Sequence, residues 1–330
     1  MEDEILLKIE GLRTHFYTEA GIVKAVDNVS FDIKKGESLG LVGESGSGKT
    51  VLALSVLRIV PKPGKIIEGK IIFKDHNLLE YSEKEMQKIR GTEIAVIFQD
   101  PSSSLNPVYT VEAQLRDILM AHEQITKQDA HEKILELLNL VGIPEAEIRM
   151  KEFPHQFSGG MKQRVAIARA LAMHPTLLFA DEPTTSLDVT IQAQVLDLLE
   201  NLKKELKMSM VMITHDMGII AKMTTRVVVL YAGNVCEIAP TETLFENPRH
   251  PYTALLLAAV PRLDRKKTLT IIPGNIPNLI EPPSGCRFHP RCKYAVEECK
   301  QLIPNLVNSG PNQFVACHKW DKLNLTGGNV

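Results

Sequence analysis

Apolar and polar positions follow two rhythms along this chain. Between residues 4 and 35 the period is two: Ile5-Leu6-Leu7-Lys8-Ile9 and Ala25-Val26-Asp27-Asn28-Val29-Ser30-Phe31 read as antiparallel strands. Leu39-Gly40-Leu41-Val42 is short and wholly apolar, as a strand buried on both faces must be, and it runs straight into a glycine-rich stretch. A helical period then predicts a helix from Thr50 to Val60, stopped by Pro61 and Pro63. Ile94-Ala95-Val96-Ile97-Phe98, Leu177 to Ala180 and Met210-Val211-Met212-Ile213 are further buried strands, with a helix expected from Ile191 to Leu206. Strands alternating with helices indicate an α/β protein.

The alternation breaks once. After Asp100-Pro101, Val111 to Ala121 and Gln128 to Val141 read as amphipathic helices with no strand between them, so about 100–165 is expected to be a helical insertion. Beyond about Pro261, prolines and cysteines become frequent and the periodicity fades. The expected organisation is one domain over 1–260 and a C-terminal appendage over 261–330, with neither an internal repeat nor a low-complexity tract.

Composition adds exclusions. Basic residues number 38 and acidic 40, a net charge of −2, so no global field attracts nucleic acid. The longest apolar runs, such as Val227 to Ala232, fall well short of the ~20 residues a bilayer requires. The acidic opening Met1-Glu2-Asp3-Glu4 lacks the basic-then-apolar pattern of a secretory signal. A cytosolic protein is expected, reaching a membrane only through partners.

Three stretches carry chemistry. Gly43-Glu44-Ser45-Gly46-Ser47-Gly48-Lys49-Thr50 fits G-x-x-x-x-G-K-[ST] between a strand and a helix. Its glycines let backbone N–H groups approach phosphate oxygens, and a helix start favours an anion. Lys49 would reach the β- and γ-phosphates, and the Thr50 hydroxyl would bind Mg²⁺. Leu177-Leu178-Phe179-Ala180-Asp181-Glu182 ends a buried strand in two carboxylates. Asp181 suits an outer-sphere Mg²⁺ contact, and Glu182 a general base that polarises water. Between them lies Phe157-Ser158-Gly159-Gly160-Met161, a polar turn at a helix start, a second anion site in a chain whose first is already filled. Gln99 and His215 each end a predicted strand, where side chains can reach a metal or a phosphate.

In this order the motifs resemble those of ATP-binding-cassette (ABC) transporter ATPases over nearly all of residues 1–260: Walker A at 43–50, the Q-loop at Gln99, the signature at 157–161, Walker B at 177–182, the D-loop Ser186-Leu187-Asp188 and the switch His215. The resemblance implies a P-loop NTPase (RecA-like) core with an antiparallel β subdomain, an α-helical subdomain and a small Cys-rich C-terminal domain. It implies ATP binding by Gly43, Ser45, Gly46, Ser47, Gly48, Lys49, Thr50, Val51, Gln99 and His215, with Phe16 or its neighbour Tyr17 stacked on adenine. Mg²⁺ would be held by Thr50, Gln99 and Asp181, and catalysis would fall to Glu182, His215 and Gln99. Ser158, Gly159, Gly160 and Asp188 would touch ATP held by a second chain. The common signature is Leu-Ser-Gly-Gly-Gln; Phe157 and Met161 depart from it, while the phosphate-facing Ser-Gly-Gly is intact.

Finer wording resembles the dipeptide/oligopeptide/nickel import branch: Phe98-Gln99-Asp100-Pro101, Leu105-Asn106-Pro107, and His250-Pro251-Tyr252-Thr253 followed by Leu255 to Pro261. Val51 resembles the D-type subunit, which implies either an F-type paralogue or a second copy as the other ATPase subunit. Two membrane-spanning permease subunits and an extracytoplasmic solute-binding protein complete the implied complex, with this chain peripheral on the cytoplasmic face. The implied activity is ATP hydrolysis driving peptide uptake. Import of nickel or another small solute, and a non-transport role in DNA repair or translation, are the rival readings; the latter chains typically carry two cassettes or long coiled-coil insertions, absent from this sequence.

Four of the five cysteines, Cys286, Cys292, Cys299 and Cys317, lie within 32 positions of one another. Cytosolic thiols stay reduced, so metal is favoured over disulfides. The spacing lacks the close Cys pairs usual for zinc and suits a [4Fe–4S] cluster, one thiolate per iron. His289 and His318 leave a mixed zinc site open, and four thiols packed in a core stay open too. Cys236 falls in a predicted strand as a plain buried residue.

Overall fold

The computed structural model describes residues 4–185, 187–259 and 272–325. It divides into two compact units, Met1–Glu80 with Met212–Val330, and Tyr81–Val211.

The first unit contains an antiparallel sheet centred on the strand Ile5–Thr18. This strand pairs on one side with Gly21–Lys34 and on the other with Gly64–Phe73, which in turn carries the short strand His76–Asn77. The register places Ile9 opposite both Phe31 and Ile71, and all three are buried, so one face of the sheet is a continuous apolar surface. Gly11, at φ 57°, sits where the register slips between Ile9 and Leu12.

A second sheet in the same unit starts from Ser38–Val42, in which every residue is buried. Arg226–Tyr231 runs parallel to it, and Asn234–Pro240 pairs antiparallel with Arg226–Tyr231. Two short strands extend this sheet: Gln313–Val315 pairs with Asn234–Pro240, and Val307–Gly310 with Gln313–Val315. Glu237, fully buried in Asn234–Pro240, accepts hydrogen bonds from the N–H groups of Arg249 (2.8 Å) and His250 (2.9 Å) and from Nε2 of Gln313 (3.0 Å). Those bonds answer the cost of burying a carboxylate. Cys236 beside it is buried, as its strand position predicts.

The second unit holds the parallel pair Ile94–Ile97 and Leu177–Asp181. Between those two strands the described chain is helical: Pro101–Ser104, Val111–His122, Lys127–Leu140, Ala146–Arg149 and Gly159–Leu171. Val111, Leu115 and Leu119 recur at four-residue spacing and are buried, as are Ile134, Leu137 and Leu138 on the next helix. Side chains set the starts. Thr110 caps Val111–His122, Thr126 and Asp129 form a reciprocal capping box at Lys127–Leu140, and Asp188 caps Val189–Leu206. The strand Ser209–Thr214 spans the boundary between the units. Among the described residues no helix is long and apolar enough to cross a membrane.

Two expected boundaries move. The helix expected over Thr50–Val60 is Lys49–Val56. Arg58 turns left-handed at φ 54° while its guanidinium donates to the carbonyl of Leu78 at 3.0 Å, so the chain leaves the helix before either proline. Gln99 lies two residues beyond the strand Ile94–Ile97 rather than at its end. The join near Pro261 falls outside the described residues.

Candidate active site

In the first unit the buried strand Ser38–Val42 delivers Gly43 into the loop that opens the helix Lys49–Val56. The loop tolerates no side chain at its two ends. A Cβ at Gly43 would stand 2.2 Å from the carbonyl oxygen of Leu230, and one at Gly48, which has φ 104°, would stand 2.3 Å from that of Ala25. At Gly46 a Cβ would meet nothing within 4 Å, so the crown of the loop is open. Lys49 is buried, and its Nζ donates to the carbonyls of Gly43 (2.7 Å) and Glu44 (3.0 Å). Ser45 and Thr50 are exposed and Ser47 is buried. The loop is thus an open backbone cradle with one ammonium beneath it, a fit for phosphate.

Phe16 and Tyr17 are successive residues of Ile5–Thr18 and so face opposite sides of the sheet. Tyr17 is 44% exposed, with Nζ of Lys65 5.5 Å from its ring centroid; Phe16 is half-buried. His215, one residue past Ser209–Thr214, is exposed, and Asp216 beside it caps the helix Met217–Met223.

In the second unit Asp181 is buried at the end of Leu177–Asp181, and Glu182 follows in a left-handed conformation at φ 44°. A non-glycine residue held there stores strain, a feature that clusters at functional sites. One carboxylate oxygen of Glu182 accepts from Nε2 of Gln99 (2.9 Å) and from Oγ1 of Thr185 (2.8 Å). Gln99 and Glu182, 83 positions apart, are therefore brought together.

Ser158 caps the helix Gly159–Leu171, its Oγ accepting from the N–H of Met161 at 3.3 Å, while Ser158 and Gly159 are exposed. Phe157 is buried: the departure from the common signature is an apolar anchor under the turn. Gly160 packs tightly, since a Cβ there would stand 2.7 Å from Cγ2 of Ile191. Asp188 spends one carboxylate oxygen on the N–H groups of Thr190 (3.1 Å) and Ile191 (3.0 Å), and Ser186 lies outside the described residues.

Cys286, Cys292, Cys299 and Cys317 line one small cavity of about 20 Å³ together with His250, His289 and His318, and none is in a disulfide. Turns gather them: the N–H of Cys286 donates to the carbonyl of Cys299 (2.8 Å), and that of Cys292 to His289 (3.2 Å). Burial, with repulsion from the neighbouring sulfurs, pushes the Cys286 thiol up to about 12 and the Cys317 thiol to about 11. Each of His289 and His318 places one ring nitrogen on a backbone carbonyl. Among the described residues, no group of three or more His, Cys, Asp or Glu stands close enough to hold a metal ion in the present arrangement.

Sequence reasoning missed the residues that grip the loop from behind: Arg291, Tyr252 and Glu44 itself. No local signal could reveal them, because Glu44 and Arg291 are 247 positions apart.

A glycine cradle with a lysine at a helix start, and a buried strand ending in paired carboxylates, define a P-loop nucleotide-binding protein. The family model "ABC transporter" matches residues 26–185, and "Oligopeptide/dipeptide transporter, C-terminal region" matches 236–299. The oligopeptide transport ATP-binding protein OppD of Bacillus subtilis is 49% identical over 94% of this chain and 87% of its own length. The dipeptide transport ATP-binding protein DppD of the same organism is 44% identical over 97% and 96%. Among solved structures, the dimeric post-hydrolysis cassette MJ0796 bound to ADP and Pi covers 71% of this chain and 98% of its own, with TM-score 0.64 and 28% identity. The chain belongs to the ATP-binding subunits of ABC transporters, in the oligopeptide/dipeptide branch.

Proposed function

We propose that this chain hydrolyses ATP to drive uptake of di- and oligopeptides, as a peripheral subunit on the cytoplasmic face of a membrane complex. The observation that carries the cargo reading is similarity along almost the whole chain, C-terminal stretch included, to relatives named for oligopeptide and dipeptide transport. Two permease subunits and an extracytoplasmic solute-binding protein are the partners that this role requires, together with a second ATPase subunit, an F-type paralogue or another copy.

Each residue group has a part that its chemistry suits. Lys49 and the loop N–H groups bind the phosphates, with Ser45, Gly46, Ser47, Thr50 and Val51 at the same helix start, and Phe16 or Tyr17 offers a ring to adenine. Thr50, Gln99 and Asp181 would hold Mg²⁺, which neutralises phosphate charge. Glu182, oriented by Gln99 and Thr185, takes the proton of the attacking water, and His215 contacts the γ-phosphate. Ser158, Gly159, Gly160 and Asp188 serve a nucleotide held by the second subunit, a reading supported by the dimeric state of the MJ0796 cassette.

The four cysteines match a [4Fe–4S] cluster in kind and number but not in their present arrangement. None is in a disulfide, yet among the described residues they form no metal-holding group, so binding a cluster would require the four thiols to draw together. Cys286, Cys292, Cys299 and Cys317 would hold it, and the cluster would staple a stretch with little core of its own. Zinc is the alternative metal. Protein purified without oxygen is expected to contain about four iron atoms per chain and to absorb visible light. Cys292→Ser should lose both, whereas stoichiometric zinc without iron would reject the cluster.

The cargo reading is tested by purifying the complex with its membrane partners and adding binding proteins loaded with peptide or with nickel. Peptide-loaded protein is expected to stimulate ATP hydrolysis and nickel-loaded protein to leave it at the basal rate. The reverse result would reassign the cargo to nickel. Full turnover independent of any membrane partner would favour a non-transport ATPase.

A further inference from the structure

Glu44, the second residue of the glycine loop, has a partner for every polar group it owns. Its carbonyl accepts from Nζ of Lys49 (3.0 Å) and from the N–H of Ser47 (3.1 Å). Its N–H donates to the hydroxyl of Tyr252 at 2.8 Å. Its two carboxylate oxygens accept separately from the two terminal nitrogens of Arg291, at 2.7 and 3.1 Å. That is a two-pronged ion pair in which the Arg291 side chain is 5% exposed and that of Glu44 26%.

Arg291 is itself fixed. Its Nε donates to the carbonyl of Pro273 (2.7 Å), a terminal nitrogen donates to the hydroxyl of Tyr231 (3.3 Å), and its guanidinium lies 5.7 Å from the centroid of that ring. Tyr231 and Tyr252 meet edge-on at 4.6 Å, and Phe288 packs against both at 5.1 and 5.4 Å. The C-terminal stretch thus reaches the glycine loop through a rigid aromatic cluster and one buried arginine.

We infer that Arg291 is a positioning residue for ATP binding, which pins Glu44 so that the loop backbone and the Lys49 ammonium are set before nucleotide arrives. The inference rests on the assignment of Gly43–Thr50 as the phosphate loop. Its physical basis is preorganisation: a loop already ordered loses less freedom when its ligand binds. Removing one member of a buried ion pair leaves the other uncompensated, so Glu44 would swing toward water and take its peptide with it. Because the effect falls on the loop before chemistry begins, it should appear in affinity rather than in turnover.

The test uses the full chain, with Mg-ATP affinity measured by a fluorescent ATP analogue and turnover measured at saturating ATP. Arg291→Ala and Glu44→Ala should each weaken affinity about tenfold, and the double variant should be no weaker than either alone. Saturated turnover should change less than about threefold. Arg291→Lys should recover part of the loss, since it keeps the charge without the fork. Glu44→Gln, which leaves the C-terminal stretch intact, should also bind ATP more weakly. Unchanged affinity in Arg291→Ala alongside a lowered melting temperature would overturn the inference and make the pair purely structural. Independent, multiplying losses in the double variant would do the same. Lys49→Ala separates the two levels of the argument: its loss of ATP binding upholds the loop assignment whatever Arg291 does. Normal binding in Lys49→Ala would overturn that assignment and this inference with it.

Discussion

Glu182→Gln is expected to bind ATP like the native chain, hydrolyse it about 10²–10³-fold more slowly, and accumulate as a nucleotide-bound dimer. The local geometry explains why binding should survive. A single oxygen of Glu182 accepts from both Gln99 and Thr185, and the amide oxygen of Gln can accept the same two bonds. The left-handed backbone at φ 44° is likewise untouched, since the two side chains have the same branching and length. What disappears is basicity: an amide cannot take a proton from water at neutral pH. ATP hydrolysis at saturating Mg-ATP, with light scattering to follow dimerisation, reads both consequences. Wild-type turnover would remove Glu182 from the role of base.

Gly48→Ala should be severely damaging for the addition of a single methyl. The residue has φ 104°, and the added Cβ would lie 2.3 Å from the backbone oxygen of Ala25, which cannot rotate away as a side chain can. Left-handed strain alone costs ~1–3 kcal/mol, and the clash forces either the helix start or the strand Gly21–Lys34 to move. We expect the melting temperature to fall on the order of 10 °C and Mg-ATP binding to be lost. Gly46→Ala provides the comparison. It carries backbone strain at φ 80° but has open space around the new atom, so its melting temperature should fall clearly less. Equal losses at the two positions would show that the Ala25 contact contributes nothing.

The strands read most clearly in the sequence were those buried on both faces, because an uninterrupted run such as Leu177 to Ala180 has few other uses. Helices in the stretch after Asp100 were legible because apolar positions recur at helical spacing; the Thr caps at their starts came only with the structure. Gly64–Phe73 was not recognised as a strand: Glu68, Gly69 and Lys70 interrupt its apolar residues, and its strandedness comes from pairing with Ile5–Thr18. The end of Lys49–Val56 was misjudged since proline is a visible stop, whereas the bond from Arg58 to the Leu78 carbonyl is a tertiary one. Gln99 and Glu182 were singled out separately, yet the bond between them depends on how two loops meet. The partnership of Glu44 with Arg291 was the least accessible, since neither residue is unusual in its own neighbourhood.

The strand Gln313–Val315 is only three residues long, yet it covers the edge of Asn234–Pro240 and carries the outermost strand Val307–Gly310. Without it, the apolar strand Asn234–Pro240 would present Ile238 and a row of unpaired backbone groups to any passing chain. Glu237 would at the same time lose the amide of Gln313 that helps compensate its burial. The ATPase portion therefore cannot be trimmed at the join as if it were a self-sufficient module. Its solubility is written partly into residues some fifty positions beyond that cut.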